Sequence, residues 1–215
     1  MQKEGLIQFL EELAPKNLAE DWDNVGLLLG KREGEVRRVY LCLDVDSFAV
    51  KKAIEEGCDF ILSHHPFIFK GIKAVTGEDL QGKKIITLIE NGISVFSMHT
   101  NFDSVKRGMA DLVAEILEWK KEGVMEAVPS TMDGEEQGIG FYTHLDKALS
   151  CADLARYVKE KCALPYIEYF DSGRKIRKLA VCPGSGRSFL SSLPSDVDAY
   201  ISGDFGHHDA IDSME

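Results

Sequence analysis

At 215 residues, 44 % of them hydrophobic, the chain can bury a sizeable core and form one large domain or two small ones. Its formal net charge of −11 argues against a nucleic-acid backbone or an anionic membrane as a general partner, but leaves room for a local cationic pocket. Five dispersed cysteines, Cys42, Cys58, Cys151, Cys162 and Cys182, form no C-x-x-C pair and read as reduced thiols of a cytosolic protein.

The start, Met1-Gln2-Lys3-Glu4-Gly5, carries acid early and lacks the basic and apolar regions of a secretory leader. No apolar run has the length of a membrane span. The expectation is a cytoplasmic protein with no membrane partner.

Leu6, Phe9, Leu10 and Leu13 recur at helical spacing, and Pro15 ends that helix. From Ala19 to Gly30 an irregular loop, marked by Trp22 among acids and by the Asn24-Val25-Gly26 step, leads into a short strand; the alternative is a Trp22 ring packed under a turn. Residues 38–45 are crowded with β-branched and aromatic side chains and predict a strand. A helix capped by Ser47 runs to Glu56 and stops at Gly57. Strands at 60–63 and 93–98 flank a helix over 80–90, and a further helix follows Asp103 and Ser104 as far as Trp119. Strands alternating with helices imply a parallel sheet.

Residues 120–138 are polar and include Pro129, Asp133, Gly134 and Glu135, so a domain boundary is placed at 122/123. Beyond it the pattern predicts strands at 139–143, 166–170, 176–182 and 197–202, a helix over 150–162, and a glycine turn at 183–188 opening a short helix. The stretch from Arg38 through Ser47-Phe48 to Asp59-Phe60-Ile61-Leu62-Ser63 is echoed by Lys178 through Ser188-Phe189 to Asp198-Ala199-Tyr200-Ile201-Ser202. The offset is about 140 residues, which suggests two related halves. The fold class expected is α/β: two related three-layer α/β/α subdomains, 1–122 and 123–215, with mostly parallel sheets.

The chemistry gathers between Phe60 and Asp103. Phe60-Ile61-Leu62-Ser63-His64-His65-Pro66 and Val95-Phe96-Ser97-Met98-His99-Thr100-Asn101-Phe102-Asp103 are two apolar runs, each ending abruptly in imidazole or carboxylate. In a βαβ unit both tips point the same way, and ligands of open α/β sheets bind beyond such tips. His64, His65, His99 and Asp103 are therefore candidates for a divalent metal site. Imidazole and carboxylate together suit Zn, Fe, Mn, Co or Ni. On a regular strand His64 and His65 would face opposite ways, but Pro66 forces an extended exit at the tip. His99 is read as a further ligand or as a proton-transferring group. The alternative is a polar loop at 64–66 with Asp103 as a helix cap. Asp44 and Asp46 end the first strand beside the site, as carboxylates that orient a ligand or as caps. Gly184, Ser185, Gly186 and Arg187 form either a structural turn or a backbone cradle for phosphate. His207 and His208 are either substrate contacts or a polar helix start, and Cys42 and Cys182 are core.

Ser63-His64-His65-Pro66-Phe67-Ile68-Phe69 and His99-Thr100-Asn101-Phe102-Asp103 closely resemble the GTP cyclohydrolase I type 2 family, also called NIF-three-like. Trp22-Asp23-Asn24-Val25-Gly26-Leu27, Gly184-Ser185-Gly186 and Ser202-Gly203-Asp204 match further family motifs in order. The resemblance implies a two-subdomain α/β fold, a dinuclear metal centre and a ring-shaped homohexamer with the sites facing an internal cavity. It makes His64 and His65 ligands to different ions, and Asp103 a ligand to one of them. The family pattern continues to a Gly-His-x-x-x-Glu that completes the metal pair, whereas this sequence stops at Asp212-Ser213-Met214-Glu215. The expectation is that the sequence is cut short or the centre incomplete, with partial metal occupancy.

The first functional expectation is a dinuclear-metal-dependent hydrolase acting on a nucleotide-like small molecule, with His99 moving protons. The family's name suggests opening of the guanine ring of GTP. The second is a non-catalytic, ring-forming, metal-binding or regulatory interaction protein. Phosphoesterase chemistry at the same centre is a third, and the acidic charge argues against long polynucleotides.

Overall fold

A computed structural model describes residues 1–128, 136–212 and 214. Pro129, Asp133, Gly134 and Glu135 of the polar stretch lie outside the described residues. Backbone contacts divide the chain into two compact units, Met1–Phe102 and Asp103–Glu215. The sequence-based boundary fell some residues later; Ala110, Ala114 and Leu117 pack into the core of the second unit, which draws their helix with them.

In the first unit, α1 (Lys3–Leu13) buries Lys3, Ile7 and Leu10, not the stripe through Phe9 and Leu13, which are exposed. The buried Lys3 ammonium donates to Ser94 Oγ at 2.9 Å, so a charged residue occupies what periodicity assigns to an apolar one. After β1 (Gly26–Leu29) and β2 (Val39–Cys42) comes α2 (Ser47–Glu55), whose cap is Asp46 accepting from Ala49 N, not Ser47. Then follow β3 (Phe60–Ser63), α3 (Leu80–Glu90) and β4 (Ser94–Ser97). The sheet order is β1-β4-β3-β2, with β2, β3 and β4 parallel and β1 antiparallel to β4. Helices α2 and α3 cover it through Val50, Ala53, Ile85 and Leu88, packed on Ile61 and Val95. The helix expected to follow Ser104 is divided: α4 (Thr100–Ser104) already contains Asp103 and Ser104, and α5 (Met109–Ile116) follows as a separate helix of the second unit.

The second unit holds β5 (Glu126–Val128) paired antiparallel with β6 (Gln137–Ile139), then β7 (Phe141–Leu149), α6 (Cys151–Lys161), β8 (Ile176–Cys182), β9 (Ala199–Ser202) and α7 (His207–Asp212). Its three-stranded sheet runs β7-β8-β9, antiparallel then parallel. The fold is thus α/β with mixed sheets. Residues 166–170 form no strand; Tyr166 and Tyr169 are exposed, and their β-propensity finds no partner edge.

The internal echo has a structural counterpart. Asp59 enters β3 with its carboxylate accepting from the backbone N–H of Arg37 and Arg38, and Asp198 before β9 accepts from Arg177 and Lys178 in the same way. Each clasp fixes the parallel register of its strand pair, Val39 opposite Phe60 and Leu179 opposite Ala199. Asp59→Ala and Asp198→Ala are each expected to cost about 1 kcal/mol, read by urea unfolding. Unequal losses would mean that the two clasps carry different loads.

Candidate metal centre

The parallel register of β3 and β4 sets Ser63 beside Ser97, both buried. Ser63 Oγ donates to the His65 carbonyl at 2.9 Å and lies 2.8 Å from Ser97 Oγ, so Ser97 is the donor of that pair. Phe67 N–H in turn donates to Ser97 Oγ at 3.3 Å. These small polar residues lock the two strand tips together where the apolar runs end.

Beyond Ser63 the chain bends at His64 and His65, with His64 N–H and His65 N–H donating to the carbonyls of Cys42 and Leu43. Both imidazoles nevertheless converge with His99. The ring centroids of His64, His65 and His99 lie 5.2–5.6 Å apart, and one ligand atom from each falls within 4.8 Å of the other two. His99 stands just before α4, its N–H donating to Asn101 Oδ1, while buried Asn101 donates to Ala14 O.

Each Nδ1 faces an oxygen. His64 Nδ1 is 2.9 Å from Met98 O, His65 Nδ1 is 2.8 Å from Asp44 Oδ1, and His99 Nδ1 is 3.0 Å from both oxygens of Asp23. A carbonyl or an ionised carboxylate can only accept, so each Nδ1 carries a proton, and whenever the ring is neutral the lone pair sits on Nε2. Metal-binding histidines are held this way, one ring nitrogen fixed by an oxygen while the other ligates. Burial, with repulsion from His99 and His65, pushes His64 below its ordinary pKa and favours the neutral ring that ligates. This donor set fits a divalent cation of the Zn, Fe, Co or Ni type.

Asp23, from the loop before β1, ties the site together. Its side chain is 0 % exposed and also accepts from Thr100 N, Thr100 Oγ1 and Asn24 N. Burial alone would raise its pKa; the hydrogen bonds from His99 and Thr100 and the charge of His99 outweigh that and hold it at about 2. In the sequence Asp23 stands inside the Trp22–Leu27 motif with no partner in view. Its one local signal was an acid beside a Trp in a segment otherwise without pattern. Of the two acids closing β2, Asp44 orients His65 and Asp46 caps α2.

Beside His65 opens a cleft of about 480 Å³ whose walls include Asp44, Asp46, Phe67, Gln81 and Lys84. Lys84 Nζ donates to Val45 O and lies over the Phe67 ring, so its charge is partly engaged by the protein itself. Burial pushes the Cys42 and Cys182 thiols up to about 11, which keeps them protonated and passive.

The remaining candidates lie in the second unit. Asp103 is the fourth residue of α4 and half-buried. In the glycine turn, Gly186 N–H donates to Ser202 Oγ and Gly203 N–H to Gly184 O, while Arg187 pairs with Asp209 at 2.8 Å. The short 3-10 helix after it, Arg187–Ser192, begins with those groups engaged inside the protein. His207 and His208 open α7, exposed, with rings 5.4 Å apart.

Comparison with known proteins adds a consistent result. The family model described as Duf34/NIF3 (NGG1p interacting factor 3) matches residues 1–215. A Clostridium perfringens protein named GTP cyclohydrolase 1 type 2 homolog is 36 % identical, the match covering 100 % of this chain and 82 % of that protein. The Saccharomyces cerevisiae protein named NGG1-interacting factor 3 is 28 % identical over 98 % of this chain and 80 % of its own length. The crystal structure of Staphylococcus aureus protein SA1388 superposes with a TM-score of 0.84 at 27 % identity, covering 100 % of this chain and 83 % of that one.

Proposed function

The chain belongs to the Duf34/NIF3 family, and from that premise we propose that it is a divalent-metal-dependent hydrolase acting on a nucleotide-like small molecule. The observation that carries this reading is the convergence of three imidazoles from two strand tips, each with Nδ1 turned to an oxygen and one ligand atom from each within 4.8 Å of the others. His64, His65 and His99 are the residues that would hold metal. Asp103 is the carboxylate ligand that the family motif adds, and two ions are the expected complement. A bound divalent ion supplies Lewis acidity, lowering the pKa of water and polarising the group under attack.

The protein's own residues set the conditions for that chemistry. Asp23 and Asp44 hold His99 and His65 in one orientation, so no rotamer search precedes binding. The cleft beside His65 gives a small molecule room next to the imidazoles, and its acids favour a ligand rich in hydrogen-bond donors. Loss of a proton from His99 to Asp23 is disfavoured, because that carboxyl sits at about 2. In this reading His99 ligates, or passes protons through Nε2.

The name borne by the Clostridium relative points to GTP and to opening of its guanine ring. Metal-loaded protein should release formate from GTP, and His64→Ala should abolish release and lower bound metal measured by mass spectrometry. Formate release equal in both would remove the imidazoles from the chemistry. Elution as a homohexamer is expected in light scattering.

A second reading, a metal-binding interaction protein without turnover, is favoured by the name of the yeast relative. His65→Ala separates the two: an enzyme loses turnover and keeps its assembly, whereas an interaction protein keeps its partner.

A further inference from the structure

Trp22 is 59 % exposed and Phe69 47 % exposed, although both rings stand on backbone that is firmly anchored. Glu20 N–H donates to Thr100 Oγ1, Asp23 is clasped to Thr100 and His99, and Asn24 Nδ2 donates to Ile68 O at 2.5 Å. The last bond staples the Trp22 loop to the segment carrying Phe69. The two rings meet edge to face, centroids 5.9 Å apart, and Trp22 meets His99 in the same manner at 6.1 Å. The result is a rigid aromatic wall beside the imidazole cluster. Large aromatic rings contribute most when covered, and rings fixed beforehand lose little entropy on binding. Of the two readings open for this ring, the one that packs it under a turn fails: it stands in solvent next to the groups that would do chemistry.

We propose that Trp22 and Phe69 form a stacking platform for the planar heterocycle of the ligand, a purine base, with its reactive edge turned to His99. A phosphate chain gains nothing from a π-face, so the two rings select for the flat part of a ligand and not for its charge. A flat base bearing N–H donors suits both surfaces. The proposal rests on the imidazole cluster being the ligand-handling centre.

The chain has two tryptophans, Trp22 and Trp119, so Trp119→Phe leaves Trp22 as sole reporter. Trp119 lies in the second unit, stacked on Tyr157. Guanosine and GTP should quench Trp22 fluorescence, while inorganic tripolyphosphate should not. By calorimetry on the otherwise native chain, Trp22→Ala should weaken guanosine binding by about 5- to 150-fold, the range typical of base–aromatic stacking, with bound metal unchanged. Calorimetry does not depend on the Trp119→Phe variant folding. Guanosine binding undiminished in Trp22→Ala, quenching by tripolyphosphate alone, or a signal that follows only protein concentration would overturn the platform. Metal content separates the two failures: a metal-loaded protein that ignores guanosine disproves the platform alone, and a protein that takes up no metal disproves the centre beneath it.

Discussion

Asp23→Ala should cost about 3–5 kcal/mol of stability and weaken metal binding by roughly 10- to 100-fold. The carboxylate is fully buried and receives His99 Nδ1, Thr100 N, Thr100 Oγ1 and Asn24 N. Truncation strands those donors in a site that water reaches poorly, and each unsatisfied group carries its own desolvation penalty. It also releases the His99 ring, whose tautomer the carboxylate fixes. Asp23→Asn separates charge from shape. The folded carboxyl titrates at about 2, below its ordinary 3.8, so its ionised form is stabilised by folding. That contribution, about 2 kcal/mol, is complete above pH 3.8 and disappears as pH falls toward 2. The stability gap between wild type and Asp23→Asn should therefore narrow by that amount across this window, measured by urea titration at each pH. A constant gap would show that hydrogen-bond geometry, not charge, is what Asp23 contributes.

The same residue marks the limit of what the sequence discloses. The strand tips are legible because each is a run of apolar residues stopped by His, and α3 because Gly92 closes its helical segment. The partners of the imidazoles were less so. Asp23 reaches His99 across 76 positions, through a loop with no periodicity, and only tertiary structure brings the two together. Asp44 is more legible, since it follows a strand parallel to the one that carries His65. The burial phase of α1 departs from its hydrophobic pattern because Lys3, which no such pattern would place inside, is buried against Ser94. Exposure of Trp22 was likewise invisible, because composition cannot distinguish a ring tucked beneath a turn from one held above it.

Gly186→Ala is expected to destabilise the second unit by about 3 kcal/mol while leaving metal content unaltered. The backbone there has ordinary angles, so the penalty is one of space and not of conformation. A Cβ would stand 1.9 Å from Tyr200 Oη, 2.8 Å from Ser202 Oγ and 2.9 Å from Cys182 Cβ. Those atoms cannot all yield. Tyr200 Oη donates to Gly186 O at 2.7 Å, and Ser202 Oγ accepts from Gly186 N–H and donates to Gly184 O at 2.9 Å, so moving either side chain breaks the bonds that hold the turn against β9. The glycine-turn motif thus reads as a stitch between the ends of β8 and β9. Its counterpart as a phosphate cradle makes a different forecast. If the turn's amides bound phosphate, Gly186→Ala would weaken GTP more than guanosine in the same calorimetric titration. If the turn only joins strands, melting temperature falls and the GTP-to-guanosine affinity ratio does not move. The ratio decides between the two roles even in a protein that has lost part of its stability, because both ligands are measured on the same folded fraction.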